Sequence, residues 1–447
     1  MTWQRHIKVF LLLTGDIFVF YVSLALTLVI RYAIINRDIA TFISSVNVHL
    51  IPFTIIFIFW LITLWMAGLY DLAKLRNDDL FYKTITIAFG INTAIAIAFF
   101  YFISYFIITP KISLFIDIAV TFLVLGFWRT RFNEWLQKSL HINLVFLGAG
   151  PETLELKEYL VHNPQLGYKV VAAIAPDNID ELKSIFETHK ISLIVSALRF
   201  DQTERLTKIL LEFLKKGTNI SDLDKFYEAI TGRVPVSIIQ EVWFLENIGE
   251  VQQAFYETAK RAFDILGAAL LGIITLAIFP FAALAIKVSY PGPVFYRQPR
   301  IGRNNKMFIL TKFRSLADGI NKDGEMRKPV EEEITRVGKF LRKTHIDELP
   351  QTWNILLGQM SFIGPRPEKP NFVKKLSDEI PFYDMRHLVK PGIAGWAQLN
   401  NPYAGPSVRE TIEKLQYDLY YIKNRSILLD IKVMLKTLRV LLSGAGR

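Results

Sequence analysis

Lys260-Arg-Ala-Phe-Asp264-Ile-Leu-Gly-Ala-Ala-Leu-Leu-Gly-Ile-Ile-Thr-Leu-Ala-Ile-Phe-Pro280-Phe-Ala-Ala-Leu-Ala-Ile-Lys287 is the stretch on which the architecture turns. Ile265–Ile286 is apolar for about 22 residues, long enough to cross roughly 30 Å of hydrocarbon. Its flanks argue against a crossing. Lys260 and Arg261 precede it, and Lys287, Arg297, Arg300 and Arg303 follow it, so both ends carry the basic signature of a cytoplasmic side. Pro280 removes a backbone hydrogen bond and crowds the carbonyl four residues earlier. The expectation is a re-entrant helix over 262–288, broken at Pro280, that enters and leaves on the cytoplasmic side. A fifth full span kinked at the proline is the alternative.

Upstream, four further apolar runs fill the first 130 residues: Val9–Ile30, His49–Tyr70, Thr84–Thr109 and Ile112–Trp128. Each approaches the length of a transmembrane helix. The first is too long for a signal peptide, carries Asp16 and lacks a small-residue cleavage site. Arg5, Lys8, Lys74, Arg76, Lys83, Arg129, Arg131 and Lys138 fall on one side, and Arg31, Arg37 and Lys111 on the other. That asymmetry places both ends of a four-span bundle, residues 1–135, in the cytoplasm. Asp16 and Asp117 lie within the runs and read as helix-to-helix hydrogen-bonding groups.

Composition agrees. Only 21% of the 447 residues are charged and mean hydropathy is +0.29, a shift toward membrane proteins. There is no cysteine, which excludes disulfides, Cys-ligated metal centres and thiol nucleophiles. The net charge of +11 is concentrated beyond residue 250, where 30 Lys and Arg face 18 Asp and Glu. An anionic partner for that part follows: phosphates, acidic headgroups or nucleic acid.

Residues 141–250 read as a parallel α/β unit, with buried strands at 143–147, 169–174 and 191–195. Gly148-Ala-Gly150-Pro-Glu-Thr resembles part of a dinucleotide fingerprint, but Thr153 stands where the third glycine or alanine belongs. Nucleotide binding and a purely structural or regulatory module both remain open here.

The chemistry concentrates in 255–447. In Arg342-Lys-Thr-His-Ile-Asp347-Glu348-Leu-Pro350-Gln-Thr-Trp-Asn-Ile-Leu-Leu-Gly358, a helix follows Asp347, with Pro350 in its first turn and Gly358 ending it. Carboxylates at a helix N-terminus meet free N–H groups and a favourable dipole, which predicts an ionised Asp347. An Asp cap with a solvated Glu reads the same locally. Around the pair stand Lys312-Phe-Arg314-Ser, Arg342 and Gly364-Pro-Arg366-Pro-Glu368, the last held rigid by two prolines. Two carboxylates among fixed cations suit Mg²⁺-assisted phosphoryl transfer. Lys390-Pro-Gly-Ile-Ala-Gly-Trp396-Ala-Gln398 reads either as a loop holding a flat base or sugar, or as a structural turn.

Six motifs in order carry a resemblance. They are Lys260-Arg-x-x-Asp264, Pro291-Gly-Pro-Val-Phe-x-Arg-Gln298, Lys312-Phe-Arg-Ser, Asp347-Glu-Leu-Pro-Gln, Met360-Ser-Phe-Ile-Gly-Pro-Arg-Pro-Glu368 and Lys390-Pro-Gly-Ile-x-Gly-Trp-Ala-Gln398. Together they resemble the bacterial polyprenyl-phosphate phosphoglycosyl transferases of the monotopic superfamily. Phe226-Tyr-Glu-Ala-Ile-Thr-Gly-Arg-Val-Pro235 resembles the linker of the large subfamily, whose N-terminal extension has four spans and a truncated α/β module. The chain departs from the family at Phe279-Pro280, where Ser-Pro is common, and at His345, where a small residue is common. His345 reads as tolerated packing rather than a proton shuttle.

The resemblance implies a mixed membrane fold: a four-helix bundle, a small parallel Rossmann-like module, and a mainly α catalytic domain with a re-entrant helix. It implies transfer of a sugar-1-phosphate from a UDP-sugar to undecaprenyl phosphate, with release of UMP. The route is ping-pong through a covalent phospho-sugar on Asp347. Glu348 is implied as Mg²⁺ holder or proton acceptor, and Asp347 and Glu348 as the metal ligands. Lys312, Arg314, Arg342, Arg366, Lys390 and Gln398 are implied in phosphate and substrate binding. Further implications are an inner-membrane location with a cytoplasmic active site, contact with inner-membrane lipids, a homo-oligomer such as a dimer, and no nucleic-acid partner. Two rivals differ in class. A membrane-anchored nucleotide-sugar dehydratase would use the spacing Tyr256-x-x-x-Lys260, but no second glycine fingerprint precedes it. A basic membrane scaffold needs no Asp-Glu pair framed by arginines.

Overall fold

The structure is a computed structural model that describes residues 2–35, 39–103, 111–138, 142–148, 150–175, 178, 181–198, 204–248, 254–289, 291–316, 335–401 and 407–442. It divides into two compact units, Met1–Phe226 and Tyr227–Arg447.

In the first unit the apolar runs form α1 (Thr2–Leu28, continued by a π-helical stretch to Ile35), α2 (Ile39–Met66), α3 (Asp79–Phe102) and α4 (Lys111–Lys138). Their shared core is aromatic, with Phe20, Phe53, Phe57, Trp60 and Phe89 buried. A polar seam sets the register of α1 against α4. Arg129 donates to Asp16 through Nε (3.1 Å) and Nη2, and Nη1 donates to the Leu69 carbonyl (2.5 Å). Tyr70 donates to the same carboxylate at 2.5 Å. Further along, Thr27 donates to Asp117 (3.4 Å) and Arg31 to Ser113 (2.6 Å). Partner numbers fall along α4 as they rise along α1, so the helices are antiparallel. Charges in an apolar bundle persist only when paired in this way.

The α/β module continues with β1 (Ile142–Leu147), α5 (Pro151–His162), β2 (Tyr168–Ile174), α6 (Glu181–Thr188), β3 (Leu193–Ser196), α7 (Glu204–Lys215) and β4 (Asn219–Asp222). The four strands are parallel in the order β2-β1-β3-β4. Gly148 has φ +101°, and a Cβ there would lie 2.8 Å from that of Ala197. The Thr153 hydroxyl donates back to the Gly148 carbonyl at 3.1 Å, and Glu152 is buried beside Gly150. The module docks on the bundle through Arg76, which donates to Asn163 (2.9 Å) and Gln165 (3.3 Å).

The next helix, α8 (Leu223–Thr231), straddles the boundary, and α9 (Glu241–Asn247) follows. Here the structure differs from the sequence-based boundary at 250. Val234, Val236, Ile239, Trp243 and Phe244 join the core of the second unit, with Ile363, Leu376, Leu415 and Leu419. Val234 N–H donates to the Gln416 carbonyl (3.0 Å) and Lys423 to Glu228 (2.8 Å). Residues 227–248 therefore pack with the C-terminal unit rather than with the α/β sheet.

That unit goes on with α10 (Ala254–Ser289), the antiparallel pair β5 (Phe295–Ile301) and β6 (Met307–Phe313), α11 (Arg336–Lys343) and α12 (Gln351–Leu356). It closes with β7 (Ser361–Ile363), α13 (Pro370–Glu379), β8 (Gly392–Ala394, parallel to β7), α14 (Trp396–Asn400), α15 (Val408–Lys423) and α16 (Ile427–Leu442). Among the described residues, five helices are long and apolar enough to cross a membrane, α10 being the fifth. The interruption expected at Pro280 is not there: one helix runs past it to Ser289, lacking only the hydrogen bond that proline cannot donate. Both halves of α10 pack on the same unit. Ala268 contacts the cluster of Phe308, Leu310, Ile355 and Met360, while Ala282 and Ile286 join Phe313 and Leu341. Ala268 to Ala282 spans roughly 21 Å of helix, and Phe308 to Phe313 roughly 17 Å of strand. The helix is therefore held to this unit at both of these levels. Its outer face, including Leu266, Leu270, Ile273, Phe281 and Leu284, is exposed and apolar.

Candidate active site

The site is built where α11 turns into α12. Thr335 caps α11 by accepting from Gly338 N–H at 2.9 Å, and Gly338 must be glycine because a Cβ would fall 2.0 Å from the Ser315 carbonyl oxygen. After α11 the chain turns sharply at His345, whose φ of 55° is left-handed, a conformation that non-glycine residues hold only under constraint. A 3₁₀ turn, Ile346–Glu348, then carries both carboxylates. Asn354 of α12 fastens this segment to β6, donating to the Ile309 carbonyl (2.7 Å) and accepting from Thr311 N–H (3.3 Å). Lys312 follows on the same strand.

Adjacent carboxylates have opposite environments. Glu348 accepts from Lys312 Nζ at 2.5 Å and has Arg366 Nη2 at 3.7 Å. Burial alone would raise its carboxyl, and Lys312 followed by Arg366 overcomes that and brings it down to about 2. Asp347 is buried, and among the described residues no hydrogen bond or ion pair closes on its carboxylate. Burial first, then the Glu348 charge, raise its carboxyl above the usual range against the opposing pull of Lys312 and Arg342. Desolvation and a like charge thus act against the ionised form that the sequence predicts for Asp347 at a helix N-terminus.

The structure brings Asp347, Glu348, Lys312, Arg342 and Arg366 together. It does not bring in the other three candidates. Arg314 is buried and donates to the Pro291 carbonyl at 3.1 Å. Lys390 faces Arg261 and Asp264. Gln398 turns its Oε1 toward Gly395 in the loop beneath Gly364. Trp396 is not free to hold a base or sugar. It is buried, stacks on Tyr420 (5.8 Å between centroids) and donates to the Gly232 carbonyl at 3.0 Å. Tyr256 and Lys260, the dehydratase-like pair, both donate to Asp430, at 2.9 and 2.6 Å, and anchor α10 to α16.

One supporting group escapes sequence reading. Arg386 is buried, bonds Asp418 through Nε (3.1 Å) and Nη2 (2.8 Å), and donates from Nη2 to the Arg366 carbonyl at 3.0 Å. It thereby fixes the backbone of the Pro-Arg-Pro loop. His345, which the sequence reads as tolerated packing, has its Nε2 buried with no hydrogen-bond partner among the described residues.

Among the described residues no group of three or more His, Cys, Asp and Glu gathers as a metal centre. Mg²⁺ commonly takes one or two carboxylates and completes its octahedron with water and substrate phosphates. Asp347, with its oxygens uncommitted, fits that role; Glu348 is already bridged by two cations.

Residues 255–444 match the family described as bacterial sugar transferase. A UDP-N-acetylgalactosamine-undecaprenyl-phosphate N-acetylgalactosaminephosphotransferase of Aeromonas hydrophila is 41% identical over 227 residues, covering 49% of this chain and 51% of that protein. A UDP-glucose:undecaprenyl-phosphate glucose-1-phosphate transferase of Xanthomonas campestris pv. campestris is 30% identical over 326 residues, 66% of this chain and 65% of that one. The chain thus spans about half to two thirds of these two relatives. An uncharacterised sugar transferase of Bacillus subtilis is 38% identical over 191 residues, 42% of this chain but 89% of its own length. The motifs that crowd around Asp347 all lie inside the matched segment, and the chain belongs to the bacterial sugar transferase family.

Proposed function

We propose that this protein transfers a sugar-1-phosphate from a UDP-sugar to undecaprenyl phosphate, through a covalent intermediate on Asp347. The observation that carries the reading is the division between the two carboxylates: Glu348 is neutralised by Lys312 and Arg366, while the Asp347 oxygens beside it have no partner among the described residues.

In the first step an Asp347 oxygen attacks the β-phosphorus of the donor. The new O–P bond forms as the bond from that phosphorus to the bridging oxygen breaks, and UMP leaves with the electron pair. In the second step a phosphate oxygen of the lipid attacks the same phosphorus, the Asp347 O–P bond breaks, and undecaprenyl-diphospho-sugar forms. Arg366 and Arg342 offer guanidinium forks to the anionic oxygens in both steps. One basic site serves two anionic substrates in turn.

Glu348 enters this account as an electrostatic anchor. A carboxyl held near 2 is too weak a base to take a proton from a phosphate whose second ionisation lies at about 6. Mg²⁺, held by Asp347 and the donor diphosphate, would supply charge neutralisation as UMP departs.

The membrane arrangement follows the same reading. We take α10 to lie re-entrant or along the headgroup plane, since both of its halves stay on the C-terminal unit and its outer face is apolar. The site then sits at the cytoplasmic face of the inner membrane, level with the lipid phosphate. The donor is UDP-glucose, UDP-galactose or an N-acetylated relative. The test is UMP release by the full chain with Mg²⁺, undecaprenyl phosphate and a panel of these donors. Release that depends on lipid, with one donor preferred, supports the reading. Release from none of them, in purified protein and in native membranes alike, rejects it.

A further inference from the structure

A second cationic cluster sits at the opposite end of α12 from Asp347. Lys260, Arg261, Lys390 and Arg425 line a cavity there with Glu257 and Asp264. It shares no charged group with the Asp347 site. Most of its charges are committed. Lys260 bonds Asp430 (2.6 Å) and Arg425 bonds Glu257 (2.8 Å). Asp264 accepts from Ser361 Oγ (3.0 Å) and Phe362 N–H (3.1 Å). Arg261 spends Nη1 and Nη2 on the Ile355 and Leu356 carbonyls, at 2.7 and 2.8 Å.

Lys390 is the exception. Its ammonium makes no hydrogen bond or ion pair among the described residues, yet it is half-buried. Burial first, and the Arg261 charge next, work against its protonated form. Gly358 explains how two cations come to share a space. At φ +78° it points its missing side chain between them: a Cβ there would lie 3.6 Å from Arg261 Nη2 and 3.8 Å from Lys390 Nζ. Both nitrogens are within reach of one vacant point, so they are less than about 8 Å apart. Like charges converging on a common opening are stabilised by an anion placed there.

The surroundings indicate which anion. The apolar run of α10 begins at Ile265, immediately after this cluster, and continues into the exposed apolar face of that helix. A charged opening beside the start of an apolar helix suits a phosphate that carries a hydrocarbon chain. A water can occupy about 20 Å³ inside the cavity, within about 320 Å³ of empty space that includes the mouth. The interior is no larger than a single water, so the phosphate belongs at the mouth. We propose that Arg261 and Lys390, across Gly358, form a phosphate-binding site at the membrane surface, distinct from the Asp347 site and occupied by the phosphate of a membrane lipid.

The test is native mass spectrometry of the full chain released from detergent, offered phosphatidylglycerol, undecaprenyl phosphate or inorganic phosphate. Wild type is compared with Lys390→Gln, Lys390→Arg and a control at exposed Lys306, Lys306→Gln. Thermal unfolding confirms that each is folded. The expected result is one retained phosphate ligand in wild type, Lys390→Arg and the control. Retention in Lys390→Gln should be weaker by about fivefold, the factor for one basic contact with an anionic headgroup. Preference for phosphatidylglycerol assigns a structural lipid, and preference for undecaprenyl phosphate assigns the acceptor's waiting place. Retention of inorganic phosphate alone, or equal retention of every ligand by wild type and folded Lys390→Gln, overturns the proposal.

Discussion

Lys312 Nζ lies 2.5 Å from Glu348 Oε1, while the neighbouring Asp347 carboxylate has no donor among the described residues. Two adjacent carboxylates thus have different surroundings. One is bridged by cations, and the other is the one the proposed reaction uses as nucleophile.

Removing the anchor's partner exposes this division. Lys312→Met leaves Glu348 buried without its main counter-ion, and the expected cost is about 3 kcal/mol of stability. Lys312→Met with Glu348→Gln removes both charges and should recover most of that loss. Chemical unfolding in detergent of both single variants and the double variant measures the coupling. Because the folded Glu348 carboxyl lies near 2, below its unfolded value of about 4.3, its contribution is fully present above pH 4.3 and is lost as pH falls toward 2. In Lys312→Met that acid loss should shrink or reverse, because protonation then relieves a buried charge that has lost its main counter-ion.

Asp347 titrates in the opposite sense. Attack requires the ionised carboxylate, and its pKa is raised by burial and then by Glu348. The rate should therefore fall on acidification at a pH above the usual carboxylate range. Glu348→Gln removes the like charge and should shift that limb to lower pH. A pH profile of kcat/KM from both proteins decides it.

The raised carboxyl also carries a stability cost. Above its folded pKa an ionised, desolvated Asp347 disfavours the fold relative to the unfolded chain. Asp347→Asn should melt higher at pH 7, by about 2–4 °C for each kcal/mol relieved, while losing roughly 10⁴-fold or more in turnover. A variant that melts lower would show that the carboxylate contributes to structure.

The Arg366 loop depends on bare backbone. A Cβ on Gly364 would lie 2.3 Å from the Lys390 carbonyl oxygen, and one on Gly392 would lie 2.1 Å from Gly364 N. Gly364→Ala should cost about 2 kcal/mol or more and raise the donor KM by displacing Arg366. Trp396→Ala should behave differently. It opens a cavity in the core between α14 and α15, costing about 3–5 kcal/mol, and leaves the donor KM of the folded fraction unchanged. Steady-state kinetics beside thermal unfolding separates the two.

The membrane helices are legible in the sequence because length alone selects them: Val9–Ile30 and its successors have few soluble alternatives. Partnership across the bundle is not. Asp16 and Arg129 are 113 residues apart, and only the folded register shows that each neutralises the other. The boundary near residue 227 is hidden for a related reason. Val234, Trp243 and Phe244 are apolar whichever core they enter. At the site, the Asp347-Glu348 pair and Lys312 could be found from motif order, but the contrast between the two carboxylates could not, since it arises from burial and from which oxygen Lys312 reaches. Lys390 and Trp396 belong to a loop whose spacing is the same whether it faces substrate or core.

The most direct test is to incubate the full chain with Mg²⁺ and its preferred UDP-sugar without lipid acceptor, then weigh the intact protein and map its peptides. The account predicts a gain of one sugar phosphate on the peptide that contains Asp347. That gain should disappear on adding undecaprenyl phosphate and should be absent from Asp347→Asn. UMP release that occurs only with both substrates present and leaves no adduct, or an adduct on another residue, would contradict it.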